Sequence, residues 1–395
     1  MNWQKTARYF MIFSIVFNIL GYLVVGYVVL FQTLGRPGVV NDFYDAFMPA
    51  VQRYLANPES LYTLTSLPFR SFPSLVYYFM IFYFLPTSPF HLNMLACAIF
   101  ILVMNLFCCY CIVKITSLEQ FKTVQFHSTV NIVPFLLGAY LLMPGQNAEY
   151  VLGQVNVITN AFLLLAVYYA LKKNECLSFF FLGCAGLFKT TALLLLPLFL
   201  FENIRGNPIK RLVVRLVSFI IPFIPSAAMF LIFKDYIPDF ISINLTLTVI
   251  FNGTFQSGNT SVSKFISTVF NISSVPVFVV VAIVLYGISY YVLIKYRVNT
   301  IERFMLGAFV MMLGMSDFYG IHFLFIFGIA ILWFMTKPRR FGLKYRILFI
   351  AITTSYFGWV LDPLSVIVAV LFFACFIVDL SRQPKEVQVE KILAT

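Results

Sequence analysis

The sequence predicts an all-α polytopic membrane protein, and three observations carry that expectation. Hydrophobic residues make up 61% of the 395 and charged residues 11%, whereas a soluble surface needs roughly 25% charged residues. Apolar runs long enough to cross a bilayer core of about 30 Å, which takes about 20 helical residues, recur from end to end. The basic residues gather in short segments between those runs, the pattern of cytoplasmic loops. The formal net charge of +12 therefore reads as membrane anchoring, and no nucleic-acid partner is expected.

Taken in order, the runs fall near 9–32, 73–86, 92–113, 128–144, 155–171, 177–201, 212–233, 275–295, 304–316, 320–336, 346–361 and 364–380. That gives about twelve expected spans. The first, "MIFSIVFNILGYLVVGYVVLF", follows Lys5 and Arg8. It is longer than the apolar core of a signal peptide and no small-x-small cleavage site follows it, so it reads as a span with a cytoplasmic N-terminus. Alternation then puts the basic segments 203–215, 295–303, 337–346 and 382–391 in the cytoplasm, and the C-terminus with them. Lys172 and Lys173 fall outside on this count. The chain thus reads as a single integral membrane domain over 1–395, in a cell membrane or the endoplasmic reticulum, with a cytoplasmic tail at 382–395.

Two long polar loops are expected on the external or lumenal side, at 33–72 and 234–274. The second holds every N-x-S/T sequon of the chain, at Asn244, Asn252, Asn259 and Asn271, which suits a lumenal loop. In the first, apolar residues at Phe47, Ala50, Val51, Tyr54 and Leu55 recur at helical spacing. They predict an amphipathic helix on the membrane surface, ended near "NPES", with Asp42 and Asp45 at its start. The cysteines, Cys97, Cys108, Cys109, Cys111, Cys176, Cys184 and Cys375, lie in or beside apolar runs and read as packing residues; no metal is expected.

Several stretches, in chain order, resemble a known family. They are "DFYDAF" (42–47), "NPESLY" (57–62), "FRSFPSL" (69–75), "GQVN" (153–156), "LFKTTALLLLPLFLF" (187–201), "GNTSV" (258–262) and "SDFYGIH" (316–322). Together they resemble the polyprenol-phosphate-mannose-dependent α-mannosyltransferases of the GT-C superfamily, of the phosphatidylinositol-mannoside type. Phe47, Phe72, Ser74, Asp317 and Gly320 depart from that pattern. The resemblance implies a GT-C fold and transfer of a hexose, mannose first, from a polyprenyl- or dolichyl-phosphate sugar. The acceptor would be lipid-linked or a glycan, and the sugar would be inverted. Partners would be membrane lipids, donor and acceptor, with no cofactor beyond the donor.

The chemistry asks for little. A departing phosphate needs no general acid, unlike the alkoxide a glycosidase expels. One carboxylate must take the proton of the acceptor hydroxyl, and cations must meet the phosphate charge. The resemblance places the base at Asp42, with Asp45 as the alternative, and either aspartate or Asn41 suits the helix cap. His322 and the intramembrane Lys189 are expected at the donor phosphate or the base. Gln154 and Asn156 are candidates for sugar or backbone contacts. Arg36, Arg70 and Lys264 are external cations that suit a phosphate, and Asn259 and Ser261 carry the family's loop motif within a sequon. The competing readings are a lipid or sugar transporter or flippase, which would explain the spans and Lys189, and an inactive subunit of a membrane complex.

Overall fold

A computed structural model describes residues 3–28, 41–63, 69–88, 91–118, 132–143, 145–201, 208–245, 261–272, 274–296, 298–315, 323–336 and 362–381. Every regular element among the described residues is helical. The chain opens with α1 (Trp3–Phe17), prolonged by the π turns Asn18–Val24. A π turn over Phe43–Phe47 leads into α2 (Met48–Ala56), and α3 (Leu75–Tyr83) and α4 (Leu92–Thr116) follow. Next come α5 (Ile132–Leu141), α6 (Gly145–Leu152), α7 (Asn156–Leu171) and α8 (Glu175–Phe188). A 3-10 stretch, Thr190–Leu195, enters α9 (Leu196–Leu200), and α10 (Pro208–Ile220) continues through a short 3-10 turn into α11 (Ile224–Ile232). The described chain ends with α12 (Tyr236–Leu245), α13 (Val262–Phe270), α14 (Ser274–Lys295), α15 (Thr300–Gly314), α16 (Phe323–Thr336) and α17 (Asp362–Ser381).

Among the described residues, four stretches are individually long and apolar enough to cross a bilayer: Lys5–Val28, Leu92–Thr116, Pro208–Ile232 and Val275–Lys295. Each leaves most of its surface outside the protein core, as a lipid-facing helix should. Helices α7, α15 and α16 are the opposite case, apolar yet buried almost throughout. They form the centre of the bundle.

The apolar runs do not map one to one onto crossings. The run at 73–86 forms only the nine-residue α3, about 13.5 Å at 1.5 Å per residue, too short for a bilayer. It packs instead against the helix that begins at Asp42: Phe47 stacks on Phe79 at 4.0 Å and Phe43 meets Phe82 at 6.3 Å. The apolar side of the 42–56 helix is thus spent largely on protein, with Leu55 left exposed.

The run at 177–201 is likewise not one helix. It breaks at Lys189, which has extended backbone (φ −135°, ψ 112°), and doubles back. Arg215 fixes this geometry. Its guanidinium donates to Glu175 at the start of α8 and to the carbonyls of Phe199 and Leu200 at the end of α9. The two ends of the segment therefore lie at one level, and Lys189 is the apex of an antiparallel hairpin.

These two departures bring Lys172 and Lys173, beside Glu175, to the same end of the bundle as Arg211 and Arg215. The alternating count had placed the two lysines opposite those arginines. Asp42, the start of α4 and Lys189 share the other end. Tyr44 Oη bonds His91 Nδ1 at 2.9 Å and donates to Asn93 Oδ1 at 2.8 Å, which pins the start of α4 beside the Asp42 helix.

A buried polar network holds the centre. Asn18 Nδ2 donates to the Leu141 carbonyl at 2.8 Å and Tyr22 Oη to that of Leu142 at 2.6 Å, so α5 runs alongside α1. Tyr150 Oη donates to Asn18 Oδ1 at 2.6 Å, and Asn105 Nδ2 donates to Gln146 Oε1 at 2.7 Å. Such bonds substitute for the hydrophobic effect where helices meet inside lipid. Here they fix α6, and so fix the turn that carries Gln154.

Candidate active site

The site is built from three chain segments. The first is the start of the 42–56 helix. Asn41 caps it: its Oδ1 accepts from Tyr44 N–H at 3.0 Å, and its own N–H donates to Asp45 Oδ2 at 2.6 Å. Its Nδ2 donates to the Val151 carbonyl at 2.5 Å, tying the helix start to the end of α6. Asp45 is thus committed to the reciprocal half of the cap. Asp42 makes no capping bond and turns the other way.

The second segment is the turn between α6 and α7. Gly153 has φ +64°, and a Cβ there would lie 2.8 Å from Phe43 Cβ. Glycine thus supplies both the left-handed backbone and the close approach of the Asp42 helix. Next to it, Gln154 Nε2 donates to Asp42 Oδ2. The third segment is the hairpin apex, where Lys189 Nζ donates to Gln154 Oε1 at 3.3 Å. Asp42, Gln154 and Lys189 form one chain of contacts joining residues from three distant parts of the sequence.

Below them lies Glu149, fully buried. Its carboxylate accepts from the backbone N–H of Asn156 at 3.1 Å and of Val157 at 3.3 Å, and from Asn156 Nδ2. It therefore caps α7, and it stands within electrostatic reach of Lys189. Asn156 helps hold that carboxylate instead of capping its own helix. Arg70 is half-buried and its charge acts on both Asp42 and Lys189. Burial pushes the Asp42 carboxyl above the ordinary carboxylate range, Lys189 and then Arg70 pull it back, and Asp45 adds a smaller upward push.

The structure gathers Asp42, Gln154, Asn156, Lys189 and Arg70, and it adds Glu149, Asn41 and Gly153. Sequence reasoning missed Glu149. Its signal was an acid at the edge of an apolar run, seven positions before the helix-starting Asn156. Ser261 and Lys264 lie elsewhere. Ser261 Oγ caps α13 by accepting from Lys264 N–H at 3.0 Å and donates to the Met315 carbonyl. Ser263 Oγ adds a bond to the Gly314 carbonyl at 2.8 Å. These bonds hold the start of α13 against the end of α15. Helix α15 packs along Thr190–Leu195, with Gly307 against Leu195 and Arg303 on the Leu198 carbonyl, so Met315 is at the Lys189 end. Arg36, Asn259 and His322 lie outside the described residues.

A helical membrane protein that sets a carboxylate, an amide and cations together at one end of its bundle has the parts of a transferase acting beside the bilayer. Residues 73–316 match the family model of glycosyltransferase family 87. That is more than half of the 395 residues, and the chain belongs to this family. It is a membrane glycosyltransferase. The matched stretch contains Glu149, Gln154, Asn156 and Lys189, whereas Asp42, Asp45 and Arg70 precede it and His322 follows it. No curated protein matches the chain.

Proposed function

We propose that this glycosyltransferase moves a hexose, mannose first, from a polyprenyl- or dolichyl-phosphate sugar to a lipid-linked or glycan acceptor, with inversion and with Asp42 as general base. The observation that carries the reading is the division of labour between the two aspartates. Asp45 is used up in the helix cap, while Asp42 points at Gln154 and Lys189.

In the proposed step the acceptor oxygen attacks the anomeric carbon and its proton passes to the Asp42 carboxylate. The bond from that carbon to the phosphate oxygen breaks, and its electron pair leaves with the phosphate. Gln154 orients Asp42 through its Nε2 donor. Lys189 and Arg70 meet the growing negative charge, an electrostatic task that water would do poorly at this depth. His322, Asn259, Ser261 and Lys264 are proposed to complete the donor site.

The same reading puts the Asp42 end outside or in the lumen, and both termini in the cytoplasm. Lys172, Lys173, Lys210, Arg211 and Arg215 mark the opposite end as cytoplasmic by the positive-inside rule. The sequon Asn244 is on α12, whose Tyr236 donates to the Pro58 carbonyl at the Asp42 end. Family membership sets the transporter reading aside.

The test is transfer from a panel of lipid-phosphate sugars to total membrane lipid by the purified protein in liposomes. The expected product is an α-linked mannolipid made from the β-linked mannosyl donor. A sugar nucleotide serving where no lipid-phosphate sugar does would overturn the donor assignment.

A further inference from the structure

Glu149 is a fully buried carboxylate on α6 that the proposed transfer step does not use. It holds the Gln154 turn from both sides. Its backbone carbonyl accepts from the N–H of Gly153 at 2.9 Å and of Gln154 at 3.3 Å. Its side chain reaches past the turn to the start of α7, where one oxygen accepts from the N–H of Asn156 at 3.1 Å and of Val157 at 3.3 Å. The other oxygen accepts from Asn156 Nδ2. Gln154, the residue that contacts both Asp42 and Lys189, is therefore set by bonds to Glu149 on either side of it.

Those bonds alone do not require a charge. A glutamine at 149 could accept from both N–H groups through its oxygen and donate its amide to Asn156. With the Asn156 amide turned over, its oxygen would take that donor, since Asn156 Oδ1 is buried and accepts no bond among the described residues. A helix start favours a negative charge, but a charge buried completely needs a cation as well. The titratable groups facing Glu149 are Tyr78 of α3, Cys97 of α4, Tyr150 of its own helix and Lys189 at the hairpin apex. Lys189 is the cation of that set. Among the charges around Lys189, Glu149 acts most strongly, ahead of Asp42 in the same sense and Arg70 in the opposite one.

We propose that Glu149 is a positioning residue for sugar transfer: it sets the Gln154 turn and, as the inward counter-charge of Lys189, holds that ammonium at the Asp42–Gln154 pair. The inference rests on the reading of Asp42 as base and Lys189 as the cation that meets the departing phosphate. A lysine in a dry site gives up its proton readily unless an anion stands near it. Asp42 cannot be that anion throughout the reaction, because its charge disappears when it takes the acceptor proton. Glu149 stays ionised across the step and keeps Lys189 a cation while the phosphate leaves.

The test is a double-mutant cycle of Glu149→Gln and Lys189→Met in the full chain, read in two ways. The first is Tm in detergent, which needs no substrate. Glu149→Gln should lower Tm by several degrees, and adding Lys189→Met should recover part of that loss, because the stranded ammonium is gone. A carboxylate that only caps α7 would give one and the same Tm change for Lys189→Met in either background, and that result would overturn the counter-charge. Should Glu149→Gln fail to fold, a folded double variant supports the proposal and an unfolded one contradicts it. The second reading is the rate of transfer from a lipid-phosphate sugar, at a temperature where all four proteins are folded. Lys189→Met should cost severalfold less on top of Glu149→Gln than in the wild type, since both changes remove the contribution of one ammonium. Losses that simply multiply would contradict the positioning role. Wild-type protein inactive with every lipid-phosphate sugar would sink the donor assignment, while the Tm cycle still decides on Glu149.

Discussion

Asp42 and Asp45 are three residues apart in a chain with 15 acids, and the sequence offers both of them proton acceptance and helix capping. Geometry separates them. Asn41 and Asp45 satisfy the helix start between them, which leaves Asp42 for Gln154. Nothing in the spacing could show this, because the π turn Phe43–Phe47 shifts the register that ordinary helical periodicity assumes. The electrostatics give a testable consequence. Burial raises the Asp42 carboxyl above its ordinary range, with Lys189 the largest opposing influence. A base with a raised value is lost by protonation as pH falls through it. The acid limb of kcat/KM should therefore lie above that of an ordinary carboxylate, about 4. Lys189→Met removes the main attraction on the ionised form, so the limb of its residual activity should move to still higher pH. A limb that stays in place in this variant would separate Lys189 from Asp42.

At the scale of elements, the hairpin of α8 and α9 was the least legible part of the fold. "LFKTTALLLLPLFLF" reads as one apolar helix interrupted by a charge, and hydrophobicity does not distinguish a crossing from a return. The physical cues were local: Lys189 itself, the β-branched pair Thr190 and Thr191, and Pro197 at the start of α9. Its packing depends on small residues, since a Cβ at Gly183 would collide with the Phe219 carbonyl of α10. The Gly153 turn depends equally on the absence of a side chain. Gly153→Ala pays about 1–2 kcal/mol for the left-handed backbone alone, and its Cβ meets Phe43 at 2.8 Å. The variant should melt at lower temperature and lose transfer activity more than its stability loss explains, because Gln154 moves with the turn. Wild-type activity at a temperature where the variant is still folded would contradict that coupling.

For the whole molecule, composition and basic clusters were enough to read a helical membrane protein, and scattered motifs in the right order were enough to gather Asp42, Gln154 and Lys189. The count of crossings was not legible, because a nine-residue apolar helix such as α3 and a hairpin both resemble spans in a linear sequence. The two-ended arrangement is open to a direct check. Cys176 is exposed, next to Glu175 at the basic end, and Glu59 is exposed at the Asp42 end. A membrane-impermeant maleimide should reach Cys176 from the cytoplasmic face, and should reach a Glu59→Cys variant of a Cys176→Ser background from the opposite face. Labelling of both from one face would reverse the proposed orientation of one of them. The central claim is tested most directly by the rate of mannosyl transfer from a polyprenyl-phosphate donor, with Asp42→Asn beside Asp45→Asn in the same liposomes. The account predicts a loss of 100-fold or more for Asp42→Asn, on the order of what general-base catalysis contributes, and for Asp45→Asn a lowered Tm with most of the rate retained. Near-normal transfer by folded Asp42→Asn would contradict it.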